Sequence, residues 1–379
     1  MIPLVVPNLN GREAEYLQQC IKTTFVSSIG PFVERFEGVV ANATGVSQAV
    51  AVSSGTSGLH AALVAVGVGR DDLVVLPSFT FIASANAIAY CGASPWLFDV
   101  TEESWTLDPA LLTKHFETET YQKNGRLIHK ETGRRVAAVM PVYTFGMPAD
   151  MDAIVKIAND YNLPVIADGA AALGATYKGR LSGNLGADLT IYSFNGNKTV
   201  TTGGGGAVVG EKVDLVKLVR HLTTTAKVGD GYHHDRIGFN YRMTNIAAAV
   251  GCAQMELLEK FVSAKRRIQE NYNSALKSFP GVDIFPQPEW AEGACWLSGI
   301  TMPDLESAKA LRDRLKENNI DARPFWKSIH LQSMFLDSPR TAQTFSSEIW
   351  SRIVTLPCSS GLIEADQLKV ISTIQKLLS

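Results

Sequence analysis

No stretch of the sequence approaches the run of roughly 18 apolar residues that a membrane helix needs. Cysteine is scarce: Cys20, Cys91, Cys252, Cys295 and Cys358 are the five in 379 residues. Their number is odd and none form a CxxC pair, so reduced thiols in a cytoplasm are expected rather than a disulfide framework. Excess charge is also missing, with 19% charged residues and a formal net charge of −2. That balance argues against nucleic acid, which would want a basic face, and against an acidic disordered tail. The first residues, MIPLVVPNLNGREAEYL, are apolar but lack a basic n-region and are broken by Pro3 and Pro7, so no signal peptide is expected. The sequons at Asn42 and Asn197 carry no meaning without secretion. Internal repeats and low-complexity segments are absent.

What is present is the composition of a globule, 46% hydrophobic and long enough for two domains. The first two-thirds alternates β-rich runs with helical stretches, the pattern of an α/β fold with a mainly parallel sheet covered on both faces. Strands are expected at Ala49 to Ser54, Asp72 to Pro77, Val136 to Tyr143, Pro164 to Asp168, Asp188 to Phe194 and Gly206 to Gly210. Helical stretches between them include Leu59 to Val66, Phe81 to Tyr90 and Asp150 to Tyr161. Near Thr244 the pattern changes. Apolar residues recur at helical spacing from Ile246 to Leu276, with Thr244 as N-cap. The chain therefore divides into a large α/β domain over 1–243 and a smaller α+β domain over 244–379, led by that long helix. The basic segment Gly125 to Arg135 interrupts the rhythm and reads as a solvated hairpin or loop.

The stretch SFNGNKTVTTGGGG, Ser193 to Gly206, sets one lysine in a polar turn before a glycine tract. It is no P-loop, because Asn197 rather than glycine precedes Lys198 and the glycines follow it. Alone, Lys198 would be a loop lysine. Its company changes the reading. Ser53 to Gly58, SSGTSG, lies between a strand and a helix, where backbone N–H groups can face an anion, although a plain capped helix start is the simpler account. Asp168 ends an apolar strand, where α/β proteins place ligands, or else forms a turn. Phe81 follows another strand end and offers a flat face or a core side chain. A phosphate cradle, a carboxylate, an aromatic plate and one lysine together make the set that pyridoxal phosphate needs.

The motifs SSGTSGLHAAL, LPSFTFIASANAI, VIADGAAALGATYKGRLSG, IYSFNGNKTVTTGGGGAVV and GFNYRMTNIAAAVG carry a family resemblance, in the right order and over nearly the whole chain. The chain resembles the DegT/DnrJ/EryC1/StrS sugar aminotransferases, of the aspartate-aminotransferase (type I) fold. Within that family it looks most like enzymes that aminate nucleotide-linked 4-keto-6-deoxy sugars for surface glycans such as lipopolysaccharide and for nonulosonic acids. The resemblance implies that Lys198 is the Schiff-base lysine, Asp168 the partner of the pyridine nitrogen, and Phe81 the aromatic on the ring. It implies phosphate contacts from the backbone of Thr56 and Ser57 and from the hydroxyl of Ser193. Asn240 would reach the cofactor phosphate of a neighbouring subunit, making a homodimer with shared sites, and Arg242 could substitute or help. Glutamate would be the amino donor. In this family the position of Ala171 is usually Gln, Glu or His, so one polar contact is missing or comes from elsewhere.

Substrate contacts are expected from Ser27, Ser28 and Gly30 and, in the small domain, from Arg323, Trp326 and His330, each of which also has a structural reading. His233, His234 and Asp235 resemble metal ligands, but adjacent histidines rarely face one ion, and no metal is expected. Two other functions stay open: dehydration or elimination on the same cofactor, and a non-catalytic pyridoxal-phosphate-binding regulator. Relatives that dehydrate carry histidine in place of the lysine, and this chain keeps Lys198.

Overall fold

The apolar runs form the strands of one sheet, and its order brings the candidate residues to one edge. The computed structural model describes residues 1–379. In chain order the strands are β1 (Gln48–Val52), β2 (Leu73–Pro77), β3 (Ser94–Phe98), β4 (Val136–Val139), β5 (Ile166–Asp168), β6 (Leu189–Ser193) and β7 (Gly206–Gly210). β2 pairs in parallel with β3 and β4, and β5 pairs in parallel with β6. Bridges Val139–Val165 and Val142–Asp168 join β4 to β5, and β7 runs antiparallel between β6 and β1. The order is thus β3-β2-β4-β5-β6-β7-β1, with β7 alone reversed, and the sheet is mainly parallel.

β1 shows why these runs are continuously apolar. Val50 and Val52 enter one core, while Ala49 and Ala51 enter the core on the opposite face. Helices α3 (Gly55–Ala65), α4 (Ile82–Tyr90) and α7 (Val213–Thr223) cover the first face. The opposite face is covered by α2 (Pro31–Thr44), α5 (Pro109–Glu119) and α6 (Met151–Asp160), and α1 (Glu13–Thr23) sends Tyr16 and Cys20 into the same core as α2. Strand β3 is absent from the sequence expectation. It carries Pro95, which breaks the usual strand signal and is tolerated because β3 is an edge.

The helix expected over Ile246 to Leu276 is two helices, α8 (Asn245–Met255) and α9 (Leu258–Leu276). Thr244 is the N-cap, its side chain accepting from the N–H of Ala247. The bend is at Leu257 (φ −110°, ψ 8°), beside Glu256, whose carboxylate takes the Tyr16 hydroxyl and Arg35. Apolar spacing reads through the bend because each helix has its own core. α8 buries Ala248, Ala249 and Cys252 against α2, whereas Ile268, Tyr272 and Leu276 of α9 pack with the C-terminal elements. Those elements are an antiparallel sheet of β8 (Asp283–Ile284), β9 (Ser298–Thr301) and β10 (Ile353–Leu356), with α10 (Leu305–Glu317), α11 (Thr344–Arg352) and α12 (Glu364–Leu378). Ile2, bridged to Ile320, joins their core. The basic segment forms a hairpin, Thr120–Lys123 with Arg126–His129, and Arg135 ends on Asp72.

Candidate active site

A cavity of about 280 Å³ opens where β4, β5 and β6 end, and Lys198, Asp168, Phe81, Thr56 and Ser193 all line it. Five residues read from four separate motifs therefore line one cavity. A larger cavity of about 470 Å³ lies elsewhere, but it holds no lysine, and its carboxylates, Glu270, Glu289 and Glu292, are exposed. Chemistry rather than size selects the smaller one.

Asp168 ends β5 and is buried. Ser84 of α4 donates its hydroxyl to Oδ2 at 2.6 Å, and the N–H of Ala170 donates to Oδ1 at 3.1 Å. Burial pushes this carboxyl above the usual carboxylate range, opposed by Ser84, Ala170 and the charge of Lys198. A carboxylate so placed favours a cation across the cavity, such as a protonated ring nitrogen.

Lys198 follows the turn after β6, and burial pushes its amine down to about 7, a shift opposed by Asp168 and aided by Lys265. A free amine is therefore accessible near neutral pH, which is what a nucleophile or proton carrier requires. The amine rests 3.4 Å from the centre of the Trp296 ring. Trp326 lies against Phe81, with ring centres 5.4 Å apart, and Phe81 is half exposed to the cavity.

The start of α3 completes the site. Ser54 and Ser57 form a reciprocal capping box, so the N–H of Ser57 is taken by Ser54 Oγ at 3.0 Å. The N–H groups of Gly55 and Thr56 have no partner within the protein. Ser193 packs on Gly55, where a Cβ would come within 3.1 Å of it. Two free N–H groups, a helix N-terminus and a hydroxyl suit a phosphate. The glycine tract has its reason here too. A Cβ on Gly206 would come within 2.6 Å of the Gly55 nitrogen, so only glycine lets β7 lie against the start of α3. These features fit pyridoxal phosphate: a free amine for the aldehyde, a buried carboxylate for the ring nitrogen, and unpaired N–H groups for the phosphate.

Other expected residues lie outside this cavity. Ser57 serves the cap, and its hydroxyl bonds the N–H and carbonyl of Ser54. His330 is buried with both ring nitrogens engaged, Nδ1 to Ser78 at 2.7 Å and Nε2 to Ser347 at 3.0 Å. Arg323 is exposed and paired with Asp321. Ser27 and Ser28 lie before α2, and Asn240 is exposed on a strand bridge to Thr224. Arg242, expected as a possible helper, is locked instead on Glu37 at 3.0 Å and on the Ala51 carbonyl at 3.2 Å. Asp235 pairs with His221, and His234 Nδ1 meets the Thr225 carbonyl. Ala171 lines the cavity with no polar side-chain atom to offer. Sequence reading missed Ser84 and Trp296, and placed Gly55 in the anion-facing stretch without singling it out. Ser84 had a signal, three residues after Phe81 on the same helical turn, while nothing local marks Trp296.

Comparison with known proteins points to the same cofactor. The model of the DegT/DnrJ/EryC1/StrS aminotransferase family matches residues 7–375. EpsN of Bacillus subtilis (strain 168), provisionally named a pyridoxal phosphate-dependent aminotransferase, is 36% identical over 99% of this chain and 95% of its own. GDP-perosamine synthase of Escherichia coli O157:H7 is 34% identical over 100% of this chain and 99% of its own. Among solved structures, a DegT DnrJ EryC1 StrS aminotransferase from Brucella abortus superposes with a TM-score of 0.89 and 28% identity, covering 97% of this chain and 95% of that one.

Proposed function

The chain belongs to the DegT/DnrJ/EryC1/StrS aminotransferase family, and on that premise we propose that it moves an amino group from glutamate to the ketone of a nucleotide-linked 4-keto-6-deoxy sugar. The observation that carries this reading is Lys198 and Asp168 lining one cavity beside the free N–H groups of Gly55 and Thr56. Pyridoxal phosphate, when bound, supplies an aldehyde to carry the amino group and a ring that takes up the electron pair of a broken C–H bond. The chain does the rest. The N-terminus of α3 and Ser193 would hold the phosphate, Phe81 would present a face to the ring, and Asp168 would keep the ring nitrogen protonated. Lys198, as a free amine, would take a proton from the donor's α-carbon and hand it on to the carrier. The same lysine then runs the shuttle in reverse on the sugar. We read the enzyme as a cytoplasmic homodimer in which Asn240 reaches the partner's site, serving surface polysaccharide synthesis.

The relatives named GDP-perosamine synthase make a guanosine diphosphate keto sugar the first substrate to try. Incubated with glutamate, it is expected to yield the amino sugar and one equivalent of 2-oxoglutarate, and nothing without the donor. A sugar that has lost one molecule of water in the absence of glutamate would make the protein a lyase. Failure with guanosine, thymidine and uridine diphosphate keto sugars alike would leave it a binder.

A further inference from the structure

Trp296 is held in place at three points although it belongs to none of the motifs around the lysine. Its main-chain N–H donates to the Phe145 carbonyl at 3.1 Å, and its indole Nε1 donates to the Asn197 carbonyl at 2.8 Å. Its own carbonyl accepts from Lys265 Nζ at 2.9 Å, and the same amine donates to the Cys358 carbonyl at 2.9 Å. Lys265 is 1% exposed, and a buried lysine is costly unless it does something. Here it braces the strand end that carries Trp296, and it neighbours no carboxylate. The preceding residue, Cys295, sits in the left-handed region (φ 49°), which turns the chain so that the indole faces the cavity. The result is an aromatic face fixed 3.4 Å from the amine of Lys198 and tied to Asn197, the residue just before it.

We propose that Trp296 is a positioning residue for Lys198, its indole face seating the amine whenever the lysine is free of cofactor. This rests on the reading of Lys198 as the cofactor lysine. A lysine that takes up a proton and must hand it back while detached from the carrier needs a place to wait from which it can return it. A ring face offers one without a hydrogen-bond acceptor that would hold the proton too tightly. The π face attracts the ammonium form, so it opposes the burial that pushes this amine down. The other groups bearing on the amine are Asp168 on β5, which favours its charge, and Lys265 on α9, which disfavours it.

The test needs no catalysis. In the cofactor-free full chain, the rate of acetylation of Lys198 is followed across pH by peptide mass spectrometry. The wild-type midpoint is expected at about 7. Trp296→Leu removes the seat while leaving the cavity apolar, and its midpoint is expected lower by roughly half to one pH unit. Trp296→Phe keeps a ring and is expected to stay near wild type. Biosynthetic replacement of tryptophan by its fluorinated analogues preserves shape and is expected to lower the midpoint stepwise as the ring face is depleted. An unchanged midpoint in Trp296→Leu and in the fluorinated series overturns the proposal. So does a higher one, because the ring would then be a plug against water. Uptake of pyridoxal phosphate by the same wild-type sample reports separately: without it the functional reading fails, whichever way the titration goes.

Discussion

Lys198→Ala is expected to lower turnover by about a thousandfold or more, within or beyond the range for loss of a positioned acid–base group, and yet to stabilise the cofactor-free protein. Both effects follow from one fact. The site holds a lysine whose amine is pushed by burial from its ordinary 10.5 to about 7. In the unfolded chain this amine stays protonated to its ordinary value, so between those limits unfolding takes up a proton. Stability of the wild type therefore rises with pH from about 7 towards 10.5, and below about 7 the charged amine costs its full amount. Alanine removes the charge. The variant should be more stable than wild type at pH 6 by roughly 2 kcal/mol, allowing for the partial contact of Lys198 with solvent, and should lose the pH dependence in that window. Denaturant titration at pH 6 and pH 9 measures it. A variant that is less stable at pH 6 would show that the lysine is not held against its preference. Wild-type turnover should correspondingly rise through a midpoint near 7 as the free amine appears.

Asp168→Asn is expected to slow turnover by about 10²- to 10³-fold, the scale for removing one preorganised electrostatic contact, while leaving capture of the cofactor by Lys198 intact. Two donors, Ser84 Oγ and the N–H of Ala170, converge on the carboxylate. An amide accepts through one oxygen only, so its NH₂ must face either a donor or the cavity. With the charge gone, nothing holds a proton on the ring nitrogen, and the ring loses its capacity to take up electrons. Burial already raises this carboxyl, so the charge adds nothing to the stability of the cofactor-free protein at neutral pH. Asparagine should therefore fold at least as well as aspartate there. Turnover assays beside thermal melts separate the two effects. A variant of near wild-type turnover would remove Asp168 from the mechanism.

How much of this was legible in the sequence depends on how local each signal was. The strands that became β1, β2 and β5 to β7 are short apolar runs bounded by glycine, proline or polar residues, and periodicity finds them. β3 was hidden by a proline that only an edge position excuses. The bend between α8 and α9 was hidden because Leu257 keeps the apolar spacing while the chain changes the core it serves. In the site, Lys198, Asp168, Phe81, Thr56 and Ser193 were legible because each sits at a strand end or helix start inside a compact motif. Trp296 was not, since it reaches Lys198 from the far side of the fold and is placed by Lys265 and Phe145. His330 went the other way. Its surroundings in sequence suggested a ligand, and its place between Ser78 and Ser347 makes it a tether between the large body and α11.

The central claim is that Lys198 carries the cofactor and gives it up to an amino donor. The most direct measurement is to load the protein with pyridoxal phosphate, reduce with borohydride, and map the labelled peptide with and without prior glutamate. The account predicts a reduced pyridoxyl group on Lys198 alone, strongly diminished when glutamate precedes reduction. Label on another lysine, Lys265 included, or a Lys198 label indifferent to glutamate, would contradict it.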